Sequence, residues 1–176
     1  MRISLAALAL FALPLLSAQS LSDRRAPSFS LPDADLEQHD LLDYRGKVVA
    51  LTVLRLGCPH CQAFSKKIEA AQQKYGSTLK ALSIVTYQDS LEKVRQYMAE
   101  NELTTTFLFD CGQVTASYMK ATPQNPSFQV PHFFLIDEEG WIREDFGYTP
   151  LTRDLFEGDG LDAVLSKYVQ SADRAD

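Results

Sequence analysis

The sequence predicts an α/β domain, and three observations carry that prediction. Val48–Leu54 (Val-Val-Ala-Leu-Thr-Val-Leu) is a nearly continuous apolar run between Gly46 and Gly57, the pattern of a strand buried on both faces. Apolar residues at helical spacing follow it, and a second apolar run with its own helical stripe comes next. Strand, helix, strand, helix in that order implies parallel pairing. Towards the C-terminus, two more apolar runs flank Asp137-Glu138-Glu139-Gly140, a turn signal that adds an antiparallel hairpin.

The elements follow in order. Val48–Leu54 is the expected central strand. From Pro59 to Tyr75, Ala63, Phe64, Ile68 and Ala71 recur at helical spacing and Gly76 supplies the stop. Ala81–Tyr87 reads as the second strand. Asp89 with Glu92 has capping-box spacing, ahead of a helix carrying Leu91, Val94, Tyr97 and Met98 on one face. Phe107–Phe109 is a short third strand, and Asp110 is placed to cap a helix with Val114 and Tyr118. His132–Ile136 and Trp141–Phe146 form the hairpin, and Leu161, Val164, Leu165 and Tyr168 stripe a final helix. The sequence shows no internal repeat, low-complexity segment or second domain.

The chain has 176 residues, 45% of them hydrophobic, but 14 of the first 18 are apolar. Met1-Arg2, the apolar run Ile3–Leu16 and the small polar Ser17-Ala18-Gln19-Ser20 read as a signal peptide over residues 1–20. As a helix that run spans only about 21 Å, short of a hydrocarbon core of roughly 30 Å. Residues 21–176 are then the working domain, expected to be a monomer without stable membrane insertion once the leader is removed. A domain of this size needs neither disulfide nor metal to hold a core, so the three cysteines point to chemistry. A net charge of -6 argues against nucleic acid or an anionic membrane surface as the main partner. An exported domain meets an oxidising compartment, where paired cysteines matter.

Cys58-Pro59-His60-Cys61 stands where the buried strand gives way to the helix. Free N–H groups of the first helical turn and the helix dipole favour a thiolate at Cys58, the dipole contributing about 0.3–1 kcal/mol. His60 is a second source of stabilisation, and Pro59 suits the first helical position. A stabilised thiolate favours the dithiol and makes the disulfide a stronger oxidant. A zinc half-site is the alternative, but Cys111, His39, His60 and His132 offer no second paired spacing. No cofactor and no metal are expected.

Ala26-Pro-Ser-Phe-Ser-Leu-Pro-Asp33, Tyr44-Arg-Gly-Lys-Val-Val49, Cys58-Pro-His-Cys61, Val130-Pro131 and Phe133-Phe-Leu-Ile-Asp-Glu-Glu-Gly140 occur in this order. With them the chain resembles exported thioredoxin-like proteins, specifically the TlpA-type thiol-disulfide oxidoreductases of the redoxin/AhpC-TSA group. The resemblance spans about residues 26 to 170. It implies a thioredoxin-like fold: a central mixed sheet flanked by helices, with an N-terminal extension. It implies exchange of disulfides with partner proteins through Cys58 and Cys61, supported by Pro59 and His60, and a redox-recycling partner. It also makes Pro131 the cis-proline beside the cysteines, and Val130 a main-chain contact for substrate added as a strand.

The chain departs from that family in several places. Gly57, Arg55 and Leu56 replace residues often aromatic there, and Phe64 occupies a position where some reductive relatives carry a glutamate. The Pro-His pair is that of strongly oxidising thiol oxidases. The connection from Tyr118 to Pro131 is longer than usual and rich in proline and polar residues, a loop placed to shape partner choice. Two alternative functions stay open. A thiol peroxidase would need Thr or Ser three residues before its cysteine and Pro seven before, where Arg55 and Leu51 precede Cys58. A copper or zinc chaperone would use both cysteines and a histidine. Cys111 is either a third redox thiol or a small buried apolar residue. His132 is placed to face the site or to point elsewhere, Arg55 to steer acidic partners or extend to water, and His39 and Asp137-Glu138-Glu139 read as solvated.

Overall fold

The computed structural model describes residues 23–86 and 89–172, so the apolar N-terminal run lies outside the described residues. In chain order the elements are β1 (Arg24–Arg25), β2 (Ser30–Pro32), β3 (Gln38–Asp40), β4 (Val48–Leu54), α1 (Pro59–Tyr75), β5 (Leu79–Thr86), α2 (Leu91–Glu100), β6 (Thr106–Asp110), α3 (Gln113–Ser117), β7 (His132–Ile136), β8 (Trp141–Gly147), α4 (Arg153–Glu157) and α5 (Gly160–Ala172).

Every residue of β4 is buried, because it is flanked on both edges and covered on both faces. It pairs in parallel with β5, from Val48 opposite Leu79 to Leu54 opposite Val85, and antiparallel with β7. The main sheet runs β1-β8-β7-β4-β5-β6, with β5 and β6 parallel and β8 antiparallel to β7 and β1. Alternation along β4 splits the core. Val49, Leu51 and Val53 join Phe29, Leu82, Val114, Tyr118 and Phe134 on one face. Val48 and Ala50 join Phe64, Ile68, Phe133, Phe156 and Leu165 on the other. A third cluster at the strand end gathers Leu54, Val85, Val94, Tyr97 and Phe107 around Cys61.

Several local expectations are met and others are corrected. The second strand begins at Leu79, two residues earlier than the apolar run suggested. Helix α2 is capped by Ser90, whose side chain accepts from the Lys93 N–H, not by Asp89; the capping side chain sits nearest the helix start. Asp110 does cap α3: its carboxylate accepts from the N–H groups of Gly112, Val114 and Thr115. The β7–β8 turn is not merely solvated. Asp137 accepts from Trp141 N at 2.7 Å and Arg143 Nε at 2.6 Å. Gly140 has φ of +78°, a backbone conformation that favours glycine, and the Arg45 guanidinium fills the space where a Cβ would stand. The N-terminal extension, unresolved into elements by sequence, places β1 on β8 and folds β2 and β3 into a separate hairpin. Among the described residues no helix is long and apolar enough to cross a membrane.

Candidate functional site

The site forms where β4 ends. Four residues on, Cys58 takes extended backbone (φ −97°, ψ 119°) as the N-cap of α1, with Pro59 in the first turn. The Cys58 carbonyl accepts the Gln62 N–H at 3.0 Å, and its Sγ accepts the Cys61 N–H at 3.4 Å. A sulfur capping a helix N-terminus is in the position where partial positive charge favours a thiolate. Cys58 is half-buried while Cys61, one turn on, has no exposure. Burial pushes the Cys61 thiol well above the ordinary range, and a hydrogen bond with the Cys58 side chain adds to this; the Arg55 backbone and charge oppose it only in part. The two sulfurs are therefore unequal: one reachable and capping, one buried and held as a thiol.

α1 is fixed from its far side as well. Glu69, itself buried, accepts from the N–H groups of Thr104 and Thr105 and from the Thr104 hydroxyl. Burial alone would raise its pKa, but these bonds outweigh burial and lower it. Nearer the cysteines, Ser65 donates to the Cys61 carbonyl at 2.9 Å and accepts from Tyr97.

The Val130–Pro131 bond is cis. Val130 is partly buried against the cluster containing Cys61 and bordered by Cys58, so the connection before β7 meets the dithiol. The Pro131 carbonyl accepts the Tyr148 N–H at 3.2 Å. Tyr148 in turn stacks on His60, ring centroids 4.3 Å apart, and its phenol pKa is raised, chiefly by its hydrogen bond to Glu157. A cysteine pair at a helix start, a cis-proline at its side and this sheet order agree with a sequence comparison: the profile of the AhpC/TSA family matches residues 23–145. The chain belongs to the AhpC/TSA family.

Solved structures agree on the fold of this AhpC/TSA protein. It is similar to a candidate DsbE-type thiol:disulfide interchange protein from Chlorobium tepidum, with 20% identity and a TM-score of 0.65 over 86% of this chain and 96% of that one. A thioredoxin candidate from Neisseria meningitidis shares 25% identity and a TM-score of 0.63 over 82% and 92%. A secreted Mycobacterium tuberculosis disulfide oxidoreductase homologous to Escherichia coli DsbE shares 17% identity and a TM-score of 0.60 over 76% and 95%. No curated protein matches the sequence. The fold is thioredoxin-like: a mixed sheet with flanking helices.

The remaining candidates separate. Arg55 is exposed and lines a cleft of about 300 Å³ with Thr86, Thr115, Thr122, Pro126 and Phe128. The long loop before Pro131 thus walls an opening at the carboxyl ends of β4 and β5. Cys111 is exposed, which corrects its reading as a buried apolar residue. His132 bonds Asp145 at 2.6 Å and stacks on Phe134, so its ring is engaged within the hairpin. His39 is not solvated: it bonds Tyr44 at 2.6 Å and Asp33 at 2.9 Å. Asp33, Glu37 and His39 bring ligand atoms within 4.8 Å of one another, but both His39 nitrogens are already used. Among the described residues neither cysteine belongs to a group of three ligating side chains. Leu51 is buried in β4, so neither it nor Arg55 supplies a peroxide-binding hydroxyl.

Sequence reasoning missed Tyr148, Arg153 and Glu157. His60 Nδ1 lies 2.6 Å from Glu157 Oε1, 97 positions away, and α4, which carries Glu157, is only five residues long. A helix that short has no periodicity to detect.

Proposed function

We propose that this protein is an exported thiol-disulfide oxidoreductase of the TlpA type, with residues 1–20 as leader and 21–176 as a monomeric working domain. Cys58 is the nucleophile and Cys61 the resolving cysteine; Pro59, His60 and Pro131 support them. The observation that carries this reading is the inequality of the two sulfurs, one capping α1 within reach of solvent and one fully buried.

In the reductive direction, Cys58 thiolate attacks one sulfur of a partner disulfide. The partner's S–S bond breaks, its other sulfur leaves as thiolate, and a Cys58–partner mixed disulfide forms. Cys61 then gives up its proton and attacks the Cys58 sulfur. The Cys58–Cys61 disulfide closes and the second partner sulfur leaves; two electrons have passed to the partner. Burial raises the pKa of Cys61 and keeps it protonated in the dithiol, so Cys58 is the sulfur that attacks first. A separate redox partner restores the dithiol. The oxidative direction runs the same steps backwards, and no cofactor enters either.

Val130 offers its main chain to an extended substrate segment; it lies outside the ladder of β7, which begins at His132. The cleft walled by the 121–128 loop favours some partners over others. A Cys61→Ser variant tests the proposal: with glutathione disulfide or a disulfide-bonded peptide, Cys58 should be trapped as a stable mixed disulfide. Failure to trap either probe would overturn it.

A further inference from the structure

His60 sits between the two cysteines, and its surroundings are unlike those of a free imidazole. Glu157 Oε1 contacts His60 Nδ1 at 2.6 Å and accepts from the Tyr148 hydroxyl at 2.7 Å; Glu157 Oε2 accepts from Arg153 Nε at 2.6 Å. The Tyr148 ring lies 25° from parallel with the imidazole, and its backbone is tied to Pro131. Separate segments, α1, the chain after β8 and α4, thus converge on one histidine.

We propose that Glu157 is a positioning residue for the dithiol: anchored by Arg153 and Tyr148, it captures His60 and offsets the stabilisation that His60 would give to Cys58 thiolate. The inference rests on the oxidoreductase reading and specifies it. The Pro-His pair alone suggests a strong oxidant; the captured pair makes a milder one.

The argument holds in either charge state of the histidine. Protonated His60 forms an ion pair with Glu157, and the pair presents little net charge to the sulfur. Neutral His60, with its proton on Nδ1, donates to Glu157, which leaves Nε2 as an acceptor unable to donate to a thiolate. Glu157 is ionised throughout the working range: hydrogen bonds from Arg153 first, then Tyr148, hold its pKa down at about 2. Among the described residues, Glu157 interacts with Arg153, Tyr148 and His60, Tyr148 also with Cys58, and Arg55 adds a positive charge near Cys61.

Equilibrium with glutathione tests this. The protein disulfide and two glutathione thiols exchange to the protein dithiol and one glutathione disulfide; two electrons and two protons pass to the cysteines. Glu157→Leu keeps most of the bulk but removes both the charge and the acceptor oxygen, so it releases His60 in either charge state. It should shift the equilibrium towards the dithiol by about threefold or more, the scale of a unit-charge interaction at roughly 6 Å in water, and raise the Cys58 thiolate fraction at fixed pH. A tenfold shift would equal about 30 mV for this two-electron couple.

In a His60→Ala background the effect of Glu157→Leu should disappear. Arg153, 68% exposed, gives a variant with little risk to folding: Arg153→Gln should move the equilibrium the opposite way, because it leaves the Glu157 charge less compensated. An unchanged equilibrium in Glu157→Leu, or an undiminished effect without His60, would overturn the role of Glu157. A wild-type protein that forms no glutathione-sensitive Cys58–Cys61 disulfide would instead overturn the oxidoreductase reading.

Discussion

Two places in this molecule join a histidine, a carboxylate and a tyrosine, and they differ in every other respect. In the N-terminal hairpin His39 bonds Asp33 through Nε2 and Tyr44 through Nδ1. These partners lie within eleven positions of one another, and the histidine side chain is only 16% exposed. At the dithiol, His60 bonds Glu157 through Nδ1, stacks on Tyr148 and is 49% exposed, with partners about ninety positions distant. The first site uses both nitrogens, so nothing is left for chemistry. The second uses only Nδ1, on a residue that stands between the two cysteines in the sequence. The same three residue types close a local turn in one setting and, in the other, tie α4 to the start of α1; the difference lies in which atoms remain unbonded.

Substitutions can break that contrast, and the largest expected effect is at the dithiol. Cys58→Ser should reduce disulfide exchange to the uncatalysed background, read with a disulfide peptide, while leaving the thermal midpoint near wild type. Asp33→Ala should do the reverse. It removes the acceptor for the Asp35 and Glu37 N–H groups and for His39, at a cost of about 1–3 kcal/mol by denaturant unfolding, with exchange unchanged. Loss of exchange in Asp33→Ala would erase the distinction between the sites.

A smaller effect is expected in acid. Burial would raise the pKa of Asp33, but bonds from His39 and from the Asp35 and Glu37 backbone prevail and lower it below 3.8. A depressed carboxylate contributes stability that is fully present above its unfolded pKa and is lost as pH falls through the folded one. Wild-type stability should therefore decline below about pH 4, more steeply than that of Asp33→Asn, in urea titrations. The smallest effects come from the two tyrosines. Tyr44→Phe should cost about 0.5–1.5 kcal/mol with exchange unaffected; Tyr148→Phe should alter the exchange rate while the thermal midpoint stays put.

The contrast also shows what a sequence can disclose. Val48–Leu54 and Pro59–Tyr75 are legible because a doubly covered strand and a long helix impose a pattern over many residues. The dithiol is legible because its spacing is local and its chemistry needs a helix start. Pro131 was placed by resemblance, since nothing around an X-Pro bond in the sequence reports its isomer. The hairpin lock escaped notice because its strands have three residues each, too few for alternation to register. The His60–Glu157 contact escaped because it depends on where α4 lies against α1, which tertiary packing decides. Ser90 in place of Asp89 as the cap of α2 shows the same limit at close range: two adjacent capping residues cannot be ranked until the helix start is known.

The N-terminal extension guards both margins of the main sheet. β1 lies along β8, with Arg24 opposite Ile142 and Arg25 opposite Trp141, while Asp33, in the turn between β2 and β3, bridges to Leu108 in β6. Unpaired strand margins invite edge-to-edge association between copies. A segment that contributes no cysteine thus covers the two margins along which copies of such a sheet could otherwise pair.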